Sequence, residues 1–302
     1  MSESRSVAAG SARFDTDRPR RDSRGFSALV WRRLRREPVL LVALGVVVAV
    51  VLTAVLAPRL APYDPTHVAP QIRLAAPGTA GHALGTDELG RDVLSRLIWG
   101  SRISLIVGIV PVVLSALGGI AIGLIAGYYS RLDQIITRSL DVLFAFPAIL
   151  LALAIVSTLG PSIYNAMLAI TVVAIPSFAR LVRSLVLGLR QRPFVEAAQS
   201  LGAGTRRILW RHILPNTVSS VIVYGTFETG KTIVFAAALS FLGLGVQPPT
   251  PEWGAMLSEG RTVLATAWQV ATIPGIAIFL VSLSFNILGD GLRDALDPRQ
   301  TL

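Results

Sequence analysis

Residues 225–232, "GTFETGKT", satisfy the phosphate-binding pattern G-x-x-x-x-G-K-[ST] at every fixed position. An apolar run, "VSSVIVY", precedes them and "TIVFAAALSFLG" begins at their last residue. In a P-loop this order, strand then loop then helix, lets backbone N–H groups cradle phosphates while the lysine neutralises them. The same stretch holds Glu228 and Lys231, three residues apart, which on a helix would share a face and could pair. The elements around the stretch decide which chemistry it can do.

The chain has 302 residues, of which 52% are hydrophobic and 15% charged. Soluble domains carry about a quarter charged residues. With no cysteine and three histidines without ligand spacing, thiolate or zinc chemistry has no residues to use, and no metal or cofactor is expected. Uncharged or nearly uncharged runs cover 39–57, 103–129, 142–179, 216–241 and 262–289. The run 142–179 is interrupted at Gly160-Pro161-Ser162 and reads as two spans joined by a tight turn. A hydrocarbon core of ~30 Å needs about 20 helical residues, so the expectation is an all-α polytopic membrane protein with six transmembrane helices. A nucleotide-binding domain needs on the order of 150 residues of soluble βαβ units, and no polar stretch of that length exists. Lys231 would lie near mid-bilayer, where a loop leaves backbone groups unsatisfied. The P-loop reading fails.

Basic residues orient the spans. Ten arginines precede residue 39, two lie at 130–138, seven at 180–215 and two after 289, against five between 58 and 102 and one at Arg261. The richer set marks the cytoplasmic side, which puts both termini inside. The net charge of +10 is then a topology signal and gives no support to nucleic-acid binding. The expected organisation is a cytoplasmic Arg-rich leader at 1–38, with 1–25 disordered, and a first span at 39–57. An external loop with an amphipathic segment follows at 58–102, then a five-helix core at 103–290 and a cytoplasmic tail at 291–302.

The cytoplasmic loop "FVEAAQSLGAGTRRILWRHILPN", 194–216, reads as a helix, a glycine break at Gly202 and Gly204, and a second amphipathic helix stopped by Pro215. Ile208, Leu209 and Ile213 can face one way, with Arg206, Arg207 and Arg211 toward water or lipid phosphates. Glu196-Ala197-Ala198, Gly202, His212 and Leu214-Pro215 stand at the spacing of the EAA loop of ABC importer permeases, which this stretch resembles. The general family pattern has isoleucine at the position of His212, whereas His-x-Leu-Pro-Asn resembles the peptide and nickel branch. The stretches 82–105, 239–257 and 285–299 are similar to those of the C-type permease of dipeptide and oligopeptide importers. The resemblance implies the type I importer fold with one extra N-terminal span, in a cell membrane. It also implies a B-type permease as heterodimer partner, two separate ATPase subunits docking on Glu196 to Pro215, and an extracytoplasmic peptide-binding protein. The chain would hydrolyse no ATP itself.

Two other groups of residues stand out. Asp87, Glu88, Arg91 and Asp92, with Trp253 in a proline-rich loop, fall on the external side. They read either as a solvated connector with an interfacial anchor or as a docking surface or gate. Glu228 and Lys231 read either as an internal ion pair or as a lining of the pathway that meets the charged ends of a zwitterionic peptide. They depart from the family, whose members carry small apolar residues there and an acidic residue at the position of Ala236. A secondary transporter driven by an ion through Glu228 is the rival function, and inverted repeats would favour it. Within the importer reading the cargo is expected to be a dipeptide or oligopeptide, with glutathione or a nickel chelate as alternatives.

Overall fold

The computed structural model describes residues 37–79 and 81–296, so the leader and the last residues of the tail lie outside it. Helix α1, Pro38–Val55, starts on a proline at its first turn and is apolar on every face. Most of its side chains are exposed, and only Leu40, Ala43 and Ala54 are buried, so it flanks the rest of the fold. A single turn, α2 (Ala57–Leu60), leads into an irregular segment that runs to Asp92.

Helix α3, Val93–Tyr128, has 36 residues, about 54 Å at 1.5 Å per residue. It therefore begins ten residues before the expected span at 103, and the last ten residues of the expected loop 58–102 form its first turns. Asp92 caps it, accepting a hydrogen bond from the Ser95 N–H at 2.7 Å. Helix α6, Ile163–Arg190, packs along α3, and the approach is close because α3 presents glycine. A Cβ at Gly123 would sit 2.6 Å from the Ala179 carbonyl oxygen.

The uncharged run 142–179 does not make two full spans. Helix α4, Ser130–Phe144, is amphipathic; the chain bends by 86° and continues as α5, Ala148–Leu159, of only 12 residues. Pro147 explains the break, because proline disfavours helical geometry in the residue before it. The turn at Gly160 falls where the sequence puts it, with Ser162 capping α6.

After α6 come α7 (Pro193–Ser200) and α8 (Thr205–Ile208), one turn of π-helix at Leu209–Ile213, and α9 (Leu214–Phe241). Pro215 does not stop a helix. It sits in the first turn of α9, where its missing N–H costs nothing. The motif at 225–232 lies wholly inside α9, so neither the strand nor the phosphate loop exists. A short helix α10, Trp253–Gly260, precedes α11, Gln269–Leu296, which runs through Pro274 and starts seven residues later than the apolar run.

Among the described residues four helices, α1, α3, α6 and α11, are long and apolar enough to cross a membrane, and the bent α4–α5 pair raises the number to five. Helix α9 has the length, 28 residues, but carries the two charges. Of the four buried clusters among the described residues, two tie the site-bearing elements together. One joins Ala54, Leu105, Ile233, Trp253, Met256 and Ile278 across α1, α3, α9, α10 and α11. The other joins Phe178, Val182 and Val186 of α6 to Val195, Ile208 and Ile213 of the following loop.

Candidate coupling and pathway sites

The loop between α6 and α9 is an exposed elbow on a buried footing. Val195, Ile208 and Ile213 are enclosed against Phe178, Val182 and Val186, which fixes α7 and α8 to the end of α6. Gly202 makes the corner with φ +79°, a left-handed conformation that costs a residue with a Cβ about 1–2 kcal/mol. Nothing surrounds the position where its Cβ would be, so the demand for glycine there is conformational. Glu196, Ala197, Gly202 and Pro215 are exposed, Ala198, His212 and Leu214 half-buried, and Leu201 at the tip is 87% exposed. This open apolar side chain stands beside the small Ala197 and Gly202. Arg206, Arg207 and Arg211 point to solvent and Ile208 and Ile213 inward, as the spacing predicts. The π-turn was not legible, and it carries the chain from elbow to α9 without a loop.

Of the charges at 87–96, all but Glu88 are buried and paired. The Arg91 Nε donates to Asp87 Oδ2 at 2.6 Å, and Arg96 Nη1 donates to the same oxygen. Both arginines also reach Glu259 Oε2 of α10, each at 2.8 Å. Asp87, Arg91 and Asp92 are buried and Arg96 is only 1% exposed. Asp92 is taken up by Ser95 and by His82 Nδ1 at 2.8 Å. Of the candidate docking residues only Glu88 is partly exposed, and it accepts from the Thr262 hydroxyl. Trp253 is 2% exposed and donates its indole N–H to the Leu97 carbonyl at 3.0 Å, so it anchors α10 to α3 and not to headgroups. Glu252 caps α10 through the Gly254 and Ala255 N–H groups. These residues form a clamp between the segment before α3, α3 itself and α10. Sequence reasoning missed Glu259; the mixture of Asp87, Glu88, Arg91, Asp92 and Arg96 marks 87–96 as charged but does not show its distant partner.

Glu228 and Lys231 do pair, Nζ to Oε2, at 3.7 Å. The pair borders a cavity of about 260 Å³ between α9, α6 and the α4–α5 bend. Ala236 is buried.

Residues 119–302 match the family of binding-protein-dependent transport system inner membrane components, and residues 25–77 match the N-terminal transmembrane domain of oligopeptide transport permease C. The glutathione transport system permease protein GsiD of Pectobacterium atrosepticum is 49% identical over 270 residues, covering 89% of this chain and 90% of the relative. GsiD of Salmonella typhimurium strain LT2 is 52% identical, covering 89% of each. Two inward-facing crystal forms of the MetNI methionine ABC transporter share the fold. One has a TM-score of 0.55 at 17% identity, over 67% of this chain and 97% of that one. The other has a TM-score of 0.53 at 16% identity, over 68% and 98%. The chain belongs to the family of binding-protein-dependent transport system inner membrane components and is a C-type permease subunit of an ABC importer.

Proposed function

We propose that this permease forms half of a translocation pathway for glutathione or a closely similar short peptide. The observation that carries the cargo is the identity of 49–52% over 270 residues to permeases named for glutathione transport. It favours glutathione, first held as an alternative, over dipeptides and longer peptides. In this reading a B-type permease completes the pathway, an extracytoplasmic binding protein delivers cargo, and two ATPase subunits supply the energy. Both termini lie in the cytoplasm, in line with the arginine excess in the leader and in the elbow.

The elbow is the entry point for that energy. Glu196, Ala197, Ala198 and Gly202 present a small, open corner, and Leu201 offers the apolar contact. Val195, Ile208 and Ile213 tie the corner to α6, while the π-turn joins it to α9. A push on the elbow would therefore move two long helices together. His212, Leu214 and Pro215 belong to the hinge between them.

The external clamp of Asp87, Arg91, Arg96 and Glu259 holds the opposite end of the bundle as one rigid piece. Glu88 and the exposed Leu89 beside it are the part of that segment which a binding protein could touch. Deleting the gene in its own host tests the cargo. Uptake of radiolabelled glutathione should fall to background and return with the intact gene; unchanged uptake would refute it.

A further inference from the structure

Resting on that reading, we infer that Lys231 is a subsite for the C-terminal carboxylate of the cargo, with Glu228 as the positioning residue that holds it. The two charges of the pair are not equivalent. The Glu228 side chain is 16% exposed and the Lys231 side chain 64%. Glu228 Oε2 is fully buried and accepts no hydrogen bond, and the ammonium stands at 3.7 Å, within ion-pair reach but beyond hydrogen-bonding distance. The carboxylate is thus set back in the wall and the ammonium projects from it.

Lys231 is the eighteenth residue of the 28-residue α9, far from either end of the helix. A lysine facing lipid at such depth costs about 2.5–3.5 kcal/mol on insertion scales. An ammonium kept there, out in the open, faces water or an anion. The space beside it is the cavity of about 260 Å³, walled by Phe144, Phe146, Val173 and Phe235, with the hydroxyl-bearing Ser177 and Thr232. Among the described residues lining it, Lys231 and Glu228 are the only charged ones. One projecting cation, apolar walls and a few hydroxyls suit a single carboxylate on a small organic body. They do not suit both ends of a zwitterion, because no carboxylate projects to receive the cargo's ammonium. Any peptide offers such a carboxylate at its C-terminus. Glutathione offers it on glycine, away from its α-ammonium. A carboxylate of the partner permease is the competing source of the same chemistry.

The test compares glutathione with its C-terminal amide, delivered by one binding protein to the complete reconstituted complex, with rates taken per assembled complex. A charge-assisted hydrogen bond is worth about 1.5–3 kcal/mol. The acid-to-amide preference should therefore fall roughly tenfold or more in Lys231→Gln and in the double variant Glu228→Leu/Lys231→Leu, and survive in Lys231→Arg. The same binding protein serves every arm, so a changed ratio belongs to the permease. An unchanged ratio, or equal loss of both cargos, would overturn the subsite and in the second case assign Lys231 to the partner subunit. Failure of both Lys231→Gln and the double variant to assemble would also overturn it in favour of a structural pair. Wild-type complex that transports neither cargo would refute the proposed function instead, before any ratio is read.

Discussion

At the scale of single residues, burial changes the meaning of the charges at 87–96. Asp87, Arg91, Arg96 and Glu259 form a compact neutral set, and Arg96 keeps Nε and Nη2 buried without partners. Removing one member strands the others, which typically costs 3–5 kcal/mol, whereas removing a balanced set can be close to neutral. Arg96→Met should therefore sharply lower the melting temperature of the detergent-extracted complex, and Arg96→Met with Asp87→Leu should recover part of it. Equal stability of the single variant and the wild type would mean that the clamp is not closed in the native complex. Trp253→Ala should be of similar severity, about 3–5 kcal/mol, through the hole left between α3 and α10. A variant as heat-stable as wild type would contradict the packing.

At the scale of elements, the bundle depends on two close approaches. One is α3 on α6 at Gly123, where a leucine would have to displace the Ala179 carbonyl at 2.6 Å from its Cβ. Gly123→Leu should abolish assembly while the neighbouring exposed position Ile125→Leu is tolerated, as judged by the yield of co-purified partner subunits. A normal yield from Gly123→Leu would show that the two helices are further apart. The other is the elbow corner. The sequence pattern located it correctly, because glycine at positive φ and inward Ile208 and Ile213 leave local signatures. The same local signals could not reveal the clamp, since Glu259 is 168 residues from Arg91 and only the folded chain brings them together. Nor did an apolar run reveal the 86° bend at Phe146-Pro147, because hydropathy reports burial in lipid and not direction. Pro215 misled for a related reason: proline ends one helix or begins the next, and only the π-turn before it decides which.

At the scale of the whole molecule, charge asymmetry and coupling make the remaining claims. Reporter fusions at residue 302 should be active only for a cytoplasmic reporter, and fusions near Glu88 only for an external one; the reverse pattern would invert the topology. The central claim is that this chain moves cargo with energy received through the elbow, and not from an ion gradient at Glu228. It is tested most directly by ATP-dependent uptake of glutathione into proteoliposomes holding the complete complex, wild type against Gly202→Val. The left-handed φ of +79° cannot be kept comfortably by valine, while the open space around the site leaves the rest of the fold untouched. We predict uptake by the wild type only with ATP inside the ATPase-bearing compartment, and ATP hydrolysis without uptake in the variant. Uptake driven by an ion gradient in the absence of ATP, or full uptake by Gly202→Val, would contradict the account.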